Sequence, residues 1–196
     1  MKYLFILLAV GLSACTLSPN LPKAGVDQSY EILGAKVNSP NEPNWYLLQY
    51  NQMGVVFGKD ISSKTNSVIA NANIFGVGGH EDDKSFFEYI ISEREKNDDK
   101  TRFVDLGSKN TRVTFKGSAC IKYETLSEDH ASKSQSDQPF QYFNTMGYIC
   151  RYPANKNAAV QLEVSYRSDT KEVPEYVKQV SEKFFDTLVF VNNKVQ

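Results

Sequence analysis

The chain has 196 residues, with 22 Lys and Arg against 23 Asp and Glu, a formal net charge of −1. It offers no basic stripe, which argues against a nucleic-acid partner. Hydrophobic residues make up 41% and aromatic residues 12%, ordinary for a folded chain, and the length suits one domain rather than two.

The N-terminus opens with Lys2 and an uncharged, mostly apolar run from Tyr3 to Ala14. A spanning helix needs roughly 20 apolar residues, so this run is too short to cross a bilayer and fits the roughly 7–15 residues of a signal-peptide core. It ends in Leu12-Ser13-Ala14-Cys15, which resembles the bacterial lipobox. The resemblance implies cleavage before Cys15, a diacylglyceryl group on its sulfur and two or three acyl chains, with the small residues admitting the peptidase. One chain alone holds marginally, at about 0.8 kcal/mol per buried methylene, whereas two anchor stably. Thr16 stands where Asp would retain such a protein at the inner membrane. An outer-membrane anchor facing the periplasm is therefore expected in a Gram-negative host, and in a Gram-positive host an anchor in its one membrane. Residues 1–14 are read as signal peptide and residues 15–29, with Pro19, Pro22 and Gly25, as the lipidated cysteine and a flexible tether spanning roughly 20 Å. A single globular α+β domain is expected over 30–196.

Along that domain, Trp45–Tyr50 and Met53–Phe57 flank Asn51-Gln52 as a hairpin. Val68, Ala70, Ala72 and Ile74 alternate with Ile69, Asn71, Asn73 and Phe75, one face dry and the other partly wet. Asp82 or Asp83 can cap a helix running to about Asn97, with Phe86, Phe87, Ile90 and Ile91 on one face. Strands are predicted at Arg112–Lys116, at Ile121, Tyr123 and Thr125, and within Phe140–Tyr152. Val160, Leu162, Val164 and Tyr166 alternate with Gln161, Glu163, Ser165 and Arg167 as the clearest strand. Ser127–Gln138 is almost without apolar residues and reads as a mobile loop. Pro174 starts a second helix with Val177, Val180, Phe184 and Leu188 inward. Strands in succession without alternating helices predict a single antiparallel sheet packed by two main helices.

The segment Val177–Phe190, closing in Asp186-Thr187-Leu188-Val189-Phe190, resembles the terminal helix of PsbP-like domains, and Asn44-Trp45-Tyr46 with Gly54–Phe57 is similar to the same group. That resemblance implies an α/β/α sandwich. Cys120-Ile121-Lys122-Tyr123, Glu128-Asp129-His130 and Gly147-Tyr148-Ile149-Cys150-Arg151-Tyr152-Pro153 resemble segments of uncharacterised bacterial lipoproteins over roughly residues 43–190. The resemblance implies a fold and a compartment, not a reaction.

With Cys15 assigned to lipid, the other two of the three cysteines, Cys120 and Cys150, read as one disulfide in an oxidising compartment. The alternative is two free thiols, as a metal pair, although no further Cys or His lies at ligand spacing.

Catalytic motifs are weak. Gly76–Gly79 precedes a helix as phosphate loops do, but Glu81, Asp82 and Asp83 would repel a phosphate. His80 with Asp82 lacks a third ligand, Glu128-Asp129-His130 falls in the expected loop, and Ser118 has no nucleophile-elbow context. No cofactor is expected. Carboxylate-only chemistry needs two placed acids, for which Glu124 and Glu163 are the candidates. The expectation is a membrane-anchored, non-catalytic binding or accessory module that meets an envelope protein or small ligand. The alternatives are an enzyme of unrecognised type and a purely structural surface protein. Tyr142, Tyr148, Tyr152 and Tyr166 are the candidate recognition residues, unless they fill a core with their hydroxyls at its edge.

Overall fold

The structure is a computed structural model, and it describes residues 21–60, 66–96, 99–132, 134 and 136–191. The segment expected to be a lipobox, Leu12–Cys15, and Thr16 lie outside the described residues. No helix among the described residues is long and apolar enough to cross a membrane.

Seven strands form an antiparallel sheet in the order β3 (Tyr46–Asn51), β4 (Gly54–Asp60), β5 (Ser67–Gly76), β9 (Ala158–Ser168), β8 (Gln141–Arg151), β7 (Ser118–Asp129) and β6 (Phe103–Phe115). A second, three-stranded sheet contains β1 (Ser29–Ile32), β2 (Ala35–Asn38) and β10 (Val189–Phe190). The expectation of a single sheet is therefore corrected to two. Strands of four and two residues are too short to show a period, yet Tyr30, Ile32, Ala35 and Val37 are all buried beneath them.

The helices occupy opposite faces of the large sheet. Strand alternation sends successive side chains to opposite sides. Val68, Ala70, Ala72 and Ile74 of β5 and Val160, Leu162 and Val164 of β9 accordingly join Val177, Phe184 and Leu188 of the α2 segment in one core. Ile121, Tyr123, Ile149 and Ala159 point the other way and meet Phe86 and Ile90 of α1 in a second core. Helix α1 spans Asp83–Lys96. Its cap is Asp82, whose carboxylate accepts a bond of 2.8 Å from the Ser85 amide, and this bond holds the Asp82 carboxyl below its ordinary value. Helix α2 spans Glu175–Asp186, with Pro174 at its N-cap position. The small sheet lies on the α2 side. There Tyr30 meets Phe57 at 5.1 Å between ring centroids, and Phe57 meets Phe184 at 6.3 Å, both edge to face. Burying a side chain such as Phe184 contributes about 1.5–3 kcal/mol.

Three boundaries differ from the sequence expectation. Part of the segment expected as tether is held to the domain: Lys23 pairs with Tyr46, and the Leu47 amide donates to Pro22 O. Ser127–Asp129, expected in a loop, extend β7, and β6 begins nine residues before Arg112, at Phe103. Cys120 and Cys150 are neighbours across β7 and β8 and form a disulfide.

Candidate functional site

The candidate site follows from the widths of the layers. A seven-stranded sheet is about 29 Å across at about 4.8 Å per strand, whereas a helix with its side chains is about 10–12 Å wide. On the α2 side, the small sheet and the helix cover β4, β5, β9 and part of β8. The flank made by β6, β7 and the rest of β8 is left uncovered, and a groove of about 860 Å³ runs between it and α2.

Tyr148 forms the middle of its floor. Phe115 stacks on the ring at 4.3 Å between centroids and 15° between planes, and Phe185 of α2 meets it edge to face at 5.4 Å. Lys122 brings its Nζ to 5.9 Å from the centre of the same ring. Met146, Leu126 and Val173 extend the apolar lining. Lys116 and Asp186, 3.5 Å apart, tie the end of β6 to the end of α2. The rim is charged with both signs. Lys109 and Glu124 are direct neighbours across β6 and β7, and Lys122 and Glu182 line the same groove. Among the described residues none of these four is in an ion pair. The arrangement suits an amphipathic ligand, with an apolar body on the aromatic floor and polar groups at the rim.

The four candidate tyrosines separate. Tyr148 lies in the groove. Tyr142 is partly exposed at the far end of β8, with Lys171 Nζ 5.5 Å from its ring. Tyr152 and Tyr166 are buried and serve the core. Tyr152 donates its hydroxyl proton to Val191 O at 2.8 Å, so the edge-of-core reading applies to it.

Two polar clusters on the α1 side gather Glu163 and Asp129, which the sequence singled out separately, with partners that it did not indicate. In the first, the buried Tyr123 hydroxyl donates to Glu163 Oε2 at 2.7 Å and accepts from Gln161 Nε2 at 2.8 Å, while the Arg94 guanidinium sits 3.6 Å over the Tyr123 ring. Burial first, and the Glu163 charge second, push the phenol well above its ordinary value. It is therefore a hydrogen-bond donor at neutral pH. In the second, the buried Asp129 accepts Arg102 Nε and Nη2 at 2.8 and 2.7 Å and Arg167 Nη2 at 2.7 Å. The Arg102 hydrogen bonds, with the Arg167 charge, hold the Asp129 carboxyl below its usual range. Arg102 lies 27 positions from Asp129 and Arg167 a further strand away, a spacing that no local period encodes.

The remaining motif residues have structural partners. His80 Nε2 lies 2.7 Å from Val77 O, and its ring packs on Tyr89. Arg151 bonds His80 O and meets Asp83 Oδ1 at 2.9 Å, fastening the start of α1. The Ser118 hydroxyl donates to Arg151 O. His130 and Glu128 are 3.1 Å apart at the end of β7. No cluster of three or more metal-ligating side chains occurs among the described residues. Glu124 faces the groove whereas Glu163 bonds Tyr123 on the other face, so the two candidate acids are not brought to one site.

No protein-family model matches the chain, and no curated protein matches it in sequence. Among solved structures, the chain is similar to a point variant of Mog1, with a TM-score of 0.50 and 12% identity, covering 85% of this chain and 97% of that one. A Ran-binding protein of Saccharomyces cerevisiae, Mog1p, aligns at TM-score 0.48 and 12% identity over 87% and 96% of the two chains. The cyanobacterial PsbP of Synechocystis aligns at 0.40 and 11% over 92% and 99%. The likeness to the Mog1 variant places the fold among helix-flanked antiparallel sheets. At 12% identity it carries no activity across.

Proposed function

We propose that this chain is a lipid-anchored envelope protein that works as a binding module, with the groove between α2 and β6–β8 as its ligand site. The observation that carries the binding role is the groove itself: an aromatic floor centred on Tyr148 beside a rim of Lys and Glu side chains that have no ion-pair partner among the described residues. The compartment rests on the Leu12–Cys15 segment, with Thr16 favouring an outer-membrane anchor facing the periplasm. The disulfide suits that compartment, since oxidising surroundings preserve such bonds. The fitting partner is an amphipathic small molecule or a short segment of another envelope protein.

Two measurements test the two halves. Cys15→Ser should abolish acylation and processing and leave the precursor uncleaved; normal processing with full membrane retention refutes the anchor. Native mass spectrometry of wild-type protein from membranes should find a retained ligand, and Tyr148→Ala should lose it while keeping the fold. Equal retention by the folded variant refutes the groove.

A further inference from the structure

The described chain begins beside β3. The Ala24 amide donates to Trp45 O, Lys23 pairs with Tyr46, and the Leu47 amide donates to Pro22 O, all in antiparallel sense. Traced toward its start, the backbone therefore heads along β3 to the turn that joins β3 to β4. A second turn lies there. The Leu33 amide, between β1 and β2, donates to Gln52 O at 2.8 Å, and the Tyr50 hydroxyl donates to Glu31 O at 3.0 Å. These two turns form one tip of the domain, and that tip presents three large hydrophobic side chains to solvent beside the exposed Asn51 and Gln52. Leu33, Tyr50 and Met53 are 46%, 50% and 50% exposed, and Leu21 and Leu48 on the approach are 40% and 39% exposed. Half of the exposed large hydrophobic residues among the described residues thus gather at the edge where the chain enters.

From this we infer that the tip formed by Leu33, Tyr50 and Met53 rests in the headgroup region of the bilayer that holds Cys15. The inference builds on the proposed lipid anchor. Cys15 precedes Leu21 by six residues, a reach of at most about 20 Å even when fully extended. The tip lies only about 10 Å beyond Leu21 along β3. A domain of this size is about 30–40 Å across, so a sulfur anchored in the membrane keeps the tip close to the surface, and the domain cannot stand off by its own diameter. Tyr beside two aliphatic side chains matches the interface, where an apolar body enters and a hydroxyl stays wet. The groove lies on the α2 side of the sheet rather than at this tip, so the posture leaves it open to the periplasmic space.

The test uses the full chain, purified from membranes and reconstituted into vesicles of three parts phosphatidylethanolamine to one part phosphatidylglycerol that also carry a nitroxide-labelled lipid. Met53→Trp and Leu33→Trp report the tip. Asp137→Trp, exposed in the β7–β8 connection at the opposite end, reports the far side, and the native Trp45 is buried and gives a constant background. The expected result is about twofold quenching of emission for either tip variant and none for Asp137→Trp, with circular dichroism unchanged. Lipid on the N-terminal peptide, read by mass, without quenching at the tip overturns this inference alone, as does stronger quenching at Asp137→Trp. An N-terminal peptide without lipid overturns the anchor and this inference with it.

Discussion

Cys120 and Cys150 lie directly opposite one another on β7 and β8, with Cα atoms 4.1 Å apart and sulfurs bonded. Both are fully buried on the α2 side. Neither thiol is left to hold a metal, which decides between the two readings of this pair. The bond joins the uncovered flank of the sheet, where the groove lies, to the strands that α2 covers.

Removing that bond should weaken the domain strongly. Its sequence separation is 30, for which loop-closure entropy gives roughly 3–4 kcal/mol, out of a typical total of about 5–15. Urea denaturation of Cys120→Ala/Cys150→Ala against the wild type should show a lower midpoint and a slope at least as steep, because the unlinked unfolded chain exposes more surface. Alkylation of the folded, unreduced wild type should modify neither residue.

The Asp129 ion cluster should give the stability curve an acid limb. Its carboxyl is held below the ordinary aspartate value by Arg102 and Arg167. Its contribution is then complete above the unfolded value of about 3.9 and is lost as pH falls through the lower folded-state value. Asp129→Asn should cost about 2 kcal/mol at neutral pH. This is less than the 3–5 of a fully buried pair, because both arginines are partly solvated. The same variant should flatten the acid limb in denaturation experiments below about pH 4.

Gly147 should tolerate no side chain. A Cβ there would collide with Leu162 O on β9 and would stand 2.8 Å from the Tyr123 hydroxyl. Gly147→Ala should therefore cost about 3 kcal/mol and disturb the Tyr123–Glu163 bond. Gly78→Ala is the comparison. Gly78 has φ +72° with open space around its Cβ, so the cost there is about 1 kcal/mol of backbone strain. Thermal unfolding of the two variants should rank them in that order.

Several features were legible in the sequence because they depend on near neighbours along the chain. The alternation Val160, Leu162, Val164, Tyr166 specifies a strand that buries one face, and β9 does so. Asp82 marks a helix start through its capping carboxylate and Pro174 through its fixed backbone angle, and both helices begin beside them. The pairing of Cys120 with Cys150 follows from there being no other partner once Cys15 is set aside. The sequence also carries the Leu12–Cys15 segment that resembles a lipobox, whose proposed consequence lies with export rather than with the fold.

Other features were decided only by tertiary structure. Edge strand β6 shows alternation only at its end because most of its side chains meet solvent on both faces, so no period could develop in Phe103–Thr111. Asp129 sits among polar neighbours in the chain, and it becomes buried because the turn before β6 and strand β9 bring one arginine each to it. Tyr148 and Tyr166 have the same chemistry and the same kind of strand. They differ because Tyr166 lies in the core beneath the helical layer, whereas Tyr148 lies at the margin where one helix runs out of width against seven strands. A local period reports which way a side chain points. Whether anything waits there to cover it depends on the sizes and positions of layers drawn from distant parts of the chain.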